Sequence, residues 1–142
     1  MTRTPLEASQ QFFDQILNGH NLSTLDDLVS KDYVELDPPP GQSSGRDGLR
    51  QALAGFNESF PDNHWHVDER IVEGNKIVSR FHWTGTHKAD FVGIPATGKS
   101  ASVKGVVIDE FENGQMVRSR ILMDQLGMLQ QIGLIPPMGP PT

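Results

Sequence analysis

The sequence predicts an α+β fold: a curved, mostly antiparallel sheet wrapped on three N-terminal helices to form a cone with an internal pocket. Three observations lead there. Helical periodicity dominates the first sixty or so residues, the pattern changes to period two after Pro61, and two tight-turn signals, Gly74-Asn75 and Asn113-Gly114, divide the second half into hairpins. Helices followed by strands give an α+β layout. A long sheet bent around such helices leaves a cone-shaped interior, the geometry expected here.

Each element follows in order. "TPLEASQQFFDQILNGH" opens with Thr4 as N-cap, Pro5 at the first helical position and Glu7 completing a capping box. Leu6, Phe12, Phe13, Ile16 and Leu17 form its apolar face, and Asn18-Gly19 ends it. "NLSTLDDLVS" reads as a shorter helix with Leu22, Leu25, Leu28 and Val29 inward. "DYVELD" is a short strand, stopped by "PPPGQSSG", where consecutive prolines cannot donate to a ladder. "RDGLRQALAGFNESF" is a third helix on Leu49, Leu53 and Phe56. "HWHVDERIVEG" and "KIVSRFHWTGTH" form one hairpin, "ASVKGVVIDEFE" and "QMVRSRILMD" the other, with "ADFVGIPATGKS" as a Gly/Pro loop between them. "QLGMLQQIG" is a short helix ended by Gly133. One domain spans 1–142, with its core at about 4–135 and a Pro-rich tail over 136–142.

Composition narrows the function. The 142 residues are 36% hydrophobic and 21% charged, a globular balance with enough chain for a core and a pocket. A net charge of −6, with no basic run, disfavours nucleic acid. Cysteine is absent, which removes disulfides, thiolate nucleophiles and Cys-ligated zinc. No secretion-signal core and no membrane-length apolar run occur, so a cytoplasmic protein with no membrane partner is expected.

Three stretches, "DLVSKDYVELDPPPGQSSGRDGLRQAL", "GTHKADFVGIPATGK" and "DQLGMLQQIGLIP", together resemble the SnoaL-like polyketide cyclases of the nuclear transport factor 2-like superfamily, over roughly residues 8 to 136. The resemblance implies the cone fold, a homo-oligomer (dimer or tetramer), and ring closure by intramolecular aldol condensation without metal or organic cofactor. It also implies an aspartate on the last strand as acid/base, on a small hydrophobic carbonyl-containing ligand. Asp124, just before "QLGMLQQIG", matches that aspartate.

The residues add their own reading. On a regular strand Arg118, Arg120, Leu122 and Asp124 share a face, and a carboxylate among Leu122, Met123 and Leu126 would be partly desolvated, raising its pKa. Asp124 is equally a favoured N-cap for the helix that begins at Gln125. Asp37, before Pro38, stands where ketosteroid isomerases carry a general base, and is also a common turn residue. Tyr33, Glu35 and Asp37 share a strand face and can supply polar groups to one side. His87, in "GTH", matches a recurrent family motif with a partly structural role, so Asp124, Asp37 and His87 are the catalytic candidates. Substrate-binding candidates are Tyr33, Glu35, His66, Trp83, Phe91 and Arg120. His82 and Trp83 face opposite ways, so one of them points inward. His64 and His66 share a face but lack a third ligand, so no metal is expected. Asp109 is either a pocket group or, the more ordinary reading, an ion-pair partner of Arg118 or Arg120.

Leu36 and Val107 stand where many family members carry histidine, and Arg120 where tryptophan is common, which implies a pocket poorer in imidazole. No G-x-S-x-G occurs, and "GIPATGKS" lacks the helix a P-loop needs. The alternatives are a proton-transfer isomerase with Asp37 as base and a non-catalytic ligand-binding or dimerisation module.

Overall fold

The computed structural model describes residues 3–136. The α+β architecture is as the pattern predicts. Helix α1 (Pro5–Gln11) starts with both arms of the capping box: the Glu7 N–H donates to the Thr4 hydroxyl, and the Thr4 N–H to the Glu7 carboxylate, each at 3.1 Å. The same rod continues as a π-helical segment, Phe12–Leu17, closed by the Asn18 N–H on the Phe13 carbonyl at 2.9 Å. Phe12, Phe13, Ile16 and Leu17, spaced at i, i+1, i+4 and i+5, share one face and are all buried together. The expected second helix is a 3₁₀ turn, Leu22–Thr24, and one α-turn, α2 (Leu25–Leu28). Val29, read as helical, instead begins β1 (Val29–Glu35). Helix α3 (Gly45–Ser59) follows the proline loop, and α4 (Gln125–Gln131) ends the described fold. The expected tail at 136–142 falls outside the described residues but for Pro136.

The strands β2 (His64–Glu73), β3 (Lys76–Thr86), β4 (Ser100–Glu112) and β5 (Gln115–Met123) make one antiparallel meander. Strand β1 joins its edge parallel to β5, giving the order β1-β5-β4-β3-β2. Asn113 and Gly114 both take positive φ, as a two-residue type I′ hairpin requires. Ladder shifts occur at Val67/Glu69 and Glu110/Phe111, where Asp68 and Val117 are the extra residues. Such bulges bend and twist a sheet. Here each also resets the facing: Val67 pairs with Phe81 and Arg70 with Ser79, while Met116 pairs with Phe111 and Ser119 with Asp109. Arg70 and Ser119 thereby turn to the concave side.

That side holds the core. Phe13, Ile16, Leu25, Leu28, Phe60, Phe81, Trp83 and Phe111 are almost wholly buried between helices and sheet. Phe60 meets Trp83 edge-on, with ring centroids 4.8 Å apart, and Phe56 packs on both tryptophans. Gly105 is required by packing: a Cβ there would lie 2.5 Å from the Phe81 ring and 2.8 Å from the Leu122 carbonyl. The interior of the cone is thus largely filled by aromatic side chains.

Candidate active site

One transverse row of polar side chains crosses the apolar concave face. Arg70 on β2 pairs with Ser79 on β3, Asp109 on β4 pairs with Ser119 on β5, and Ser119 is beside Glu35 on β1. Ser79 and Asp109 are one diagonal step apart, since Ile77 is the cross-strand partner of Asp109. Every strand contributes, and Ser79, Asp109, Ser119 and the neighbouring Tyr33 are buried.

The row is hydrogen-bonded at its β1 end. The Ser119 hydroxyl donates to Asp109 Oδ1 at 2.7 Å, and the Tyr33 hydroxyl to Glu35 Oε2 at 3.1 Å. Ser119 and Glu35 are cross-strand neighbours, which places the two hydrogen-bonded pairs side by side. Glu35 Oε1 accepts from the Asp37 N–H at 3.2 Å and the Ile121 N–H at 3.4 Å. Burial pushes the Asp109 carboxyl up to about 7, against the Ser119 hydrogen bond that favours its anion. Burial also raises Glu35, with the backbone N–H of Asp37 as the main opposing influence. Tyr33 is raised as well, by burial and then by the Glu35 charge. Burial thus raises both Asp109 and the half-buried Glu35, a pair whose surroundings suit proton exchange.

Two of the sequence candidates, Tyr33 and Glu35, belong to this network. Asp109 was expected to pair with Arg118 or Arg120, and does not. Arg118 joins Glu110 and Glu112, and Arg120 joins Asp37 at 3.2 Å, because both arginines face outward while Asp109 faces in. Arg120 and Asp37 are thus a half-exposed ion pair on the convex side. Asp124 is exposed and caps α4, with Oδ1 accepting from the Gly127 N–H at 2.9 Å. Leu122, 72% exposed, and Leu126, 46% exposed, do not enclose it. His87 is fully buried; its Nδ1 meets Thr97 Oγ1 at 3.0 Å and fastens the Gly/Pro loop. Trp83 points inward and His82 outward. Phe91 packs at the core's margin against Phe56 and Phe60. His66 lies on the convex face, stacked on His82 at 4.4 Å and 4.3 Å from His64. Sequence reasoning missed Arg70, Ser79 and Ser119. A signal was available for Ser79, a polar residue at an inward position between Ile77 and Phe81.

Two open clefts lie elsewhere. One of about 400 Å³ is bordered by Asp62, Thr84, Thr86, Ser100 and Gln131. The other, of about 490 Å³, lies on the convex face between Asp68, His82, Lys104, Leu122 and Asp124.

The family model described as SnoaL-like polyketide cyclase matches residues 7–132. Among solved structures, TsrD from Streptomyces laurentii is 29% identical, covering 90% of this chain and 96% of its own, with a TM-score of 0.79. IdmH from Streptomyces antibioticus, described as a candidate polyketide cyclase, is 25% identical over 92% of this chain and 99% of its own, TM-score 0.80. AclR from Streptomyces galilaeus, described as a candidate hydroxylase, shares the fold at 21% identity, covering 93% of this chain and 97% of its own, TM-score 0.81. No curated protein matches.

Proposed function

Because the chain belongs to the SnoaL-like polyketide cyclase family, we propose that it performs acid/base chemistry next to a carbonyl of a hydrophobic small molecule, closing a ring by intramolecular aldol addition. The observation that carries this reading is the buried Asp109, hydrogen-bonded to Ser119, whose neighbour on β1 is Glu35. Glu35, the more accessible carboxylate, takes a proton from the carbon beside the carbonyl, and the electron pair moves to oxygen as an enolate. The enolate carbon attacks a second carbonyl of the same molecule. A C–C bond forms, and the resulting alkoxide recovers the proton from Glu35. Asp109, its carboxyl raised by burial, stands next to Glu35 in the row as a second proton-holding group. No electron is gained or lost overall, so proton transfer and positioning suffice. General acid/base help contributes about 10²–10⁴-fold.

A second reading keeps Asp124 as the acid/base, working in the convex cleft it shares with His82, Asp68 and Lys104. One assay separates the two. Wild-type protein is expected to accelerate hydrogen–deuterium exchange at the α-carbon of 2-tetralone in D2O, followed by NMR. Glu35→Gln and Asp109→Asn should lose that acceleration, and Asp124→Asn should keep it. The reverse pattern transfers the role to Asp124. No acceleration by wild type leaves a binding module of the same fold.

The convex face takes a second copy of the chain in this proposal. Val106, Ile108 and Leu122 form an exposed apolar centre on β4 and β5, continued by Val34 on β1. Around it stand the ion pairs Arg118–Glu110, Arg120–Asp37 and Arg80–Glu69. An apolar centre inside a rim of both charge signs is the anatomy of a self-complementary interface.

A further inference from the structure

Arg70 is unlike the other arginines. Arg3, Arg46, Arg50, Arg80, Arg118 and Arg120 each have a carboxylate partner. Among the described residues Arg70 has none, and its Nε is buried without a hydrogen bond. Its guanidinium lies 5.3 Å above the Phe13 ring. That contact uses the face of the cation, worth about 0.5–2 kcal/mol, and leaves the in-plane N–H donors unspent. A buried donor without an acceptor is costly, and its persistence calls for an explanation.

A second observation points the same way. Ser79, directly opposite Arg70 in the β2–β3 ladder, is fully buried, and its hydroxyl also lacks a partner. Opposite residues of an antiparallel pair hold their Cβ atoms about 4.5–5.5 Å apart on one face. Two idle polar groups therefore adjoin, within the same concave row as Asp109. Burial lowers the Arg70 pKa, with the charges of Asp14 and Asp109 opposing it, and the guanidinium stays a cation. Neither carboxylate approaches it closely enough to pair, so the donors stay open to a ligand.

We propose that Arg70 and Ser79 form an anion-receiving subsite that holds a negatively charged oxygen of the ligand at the end of the row opposite Glu35. This rests on the acid/base reading of that row. Two sources supply such an oxygen: a carboxylate already on the ligand, or the oxyanion that develops when Glu35 removes a proton. The planar guanidinium suits either, and a bidentate carboxylate best. In both cases charge at Arg70 orients the ligand so that its acidic carbon falls toward Glu35.

The test uses the intact protein labelled with ¹⁵N and follows the arginine Nε–H signals by NMR, with Arg70 assigned by its loss in Arg70→Lys. Benzoate and its neutral isostere benzamide probe the carboxylate source. Phenols of graded acidity probe the developing oxyanion. The expected result is a downfield shift of the Arg70 signal with benzoate and none with benzamide, or phenol affinity that climbs with acidity. Arg70→Gln should weaken the responding probe at least tenfold, and Ser79→Ala severalfold, whereas Arg80→Gln should leave it unchanged. Should Arg70→Gln fail to fold by circular dichroism, Ser79→Ala carries the comparison. Equal binding of benzoate and benzamide with a flat phenol series overturns the subsite, as does binding indifferent to both substitutions. Exchange of 2-tetralone by wild type reports separately on the acid/base reading, so the two fail independently.

Discussion

Replacing Asp109 by Asn should change how stability depends on pH, and by an amount the structure sets. The carboxyl moves from 3.8 unfolded to about 7 folded. Between those values the folded protein binds a proton that the unfolded chain has already released. Stability is therefore fully present below about pH 4, falls as pH rises, and levels off above about pH 7. Three decades at about 1.4 kcal/mol each give a loss of about 4 kcal/mol across the window. Glu35, also raised, acts with the same sign, while His66, lowered chiefly by burial, acts oppositely. Subtracting the variant from the wild type at each pH removes both contributions to first order. The assay is urea denaturation of wild type and Asp109→Asn from pH 4.5 to 8.5. Asparagine mimics the protonated acid and retains a hydrogen-bonding group for Ser119. The two proteins should be close in stability at the acid end, and the variant should gain steadily, by several kcal/mol, towards pH 8. A difference that stays flat across the range would refute the buried, proton-holding Asp109 and the network built on it.

Three further outcomes follow from the geometry. Asp124→Ala should cost about 1 kcal/mol by uncapping α4, whereas Asp124→Asn, a residue that caps as well, should stay within a few tenths; thermal melts of the pair decide it. Gly105→Ala forces a methyl against the Phe81 ring and the Leu122 carbonyl, and should lower stability by about 1–3 kcal/mol in urea titration. Leu122→Glu on the convex apolar centre should convert a dimer to monomer in light scattering at micromolar concentration, with the fold intact by circular dichroism.

Much of the fold was legible because local rules agree with it. The capping box at Thr4 and Glu7, the Asn113-Gly114 turn and the switch from period 3.6 to period two each depend on neighbouring residues alone, so sequence reveals them. The family match over 7–132 agrees with the resemblance carried by the proline loop and the "DQLGMLQQIG" terminus. Tyr33 and Glu35 were legible as neighbours on one strand face. Asp124 was legible as an N-cap for the same local reason, and its oxygen does cap Gly127.

The polar row was not legible, and the cause is specific. Strict alternation from Met116 turns Arg118, Arg120 and Leu122 inward and Ser119 out; alternation from Val67 turns Arg70 out. One extra residue in each strand, Val117 and Asp68, reverses both assignments. A bulge is fixed by how a strand meets its neighbours across the whole sheet, through contacts far apart in the chain. The sequence alone determined most of the helices and strands and their turns, though not that Val29 opens β1, and which family the chain resembles. Only the tertiary structure decided which side each strand shows, and with it that Asp109, Ser119, Ser79 and Arg70 meet on the concave face while Arg118 and Arg120 meet solvent.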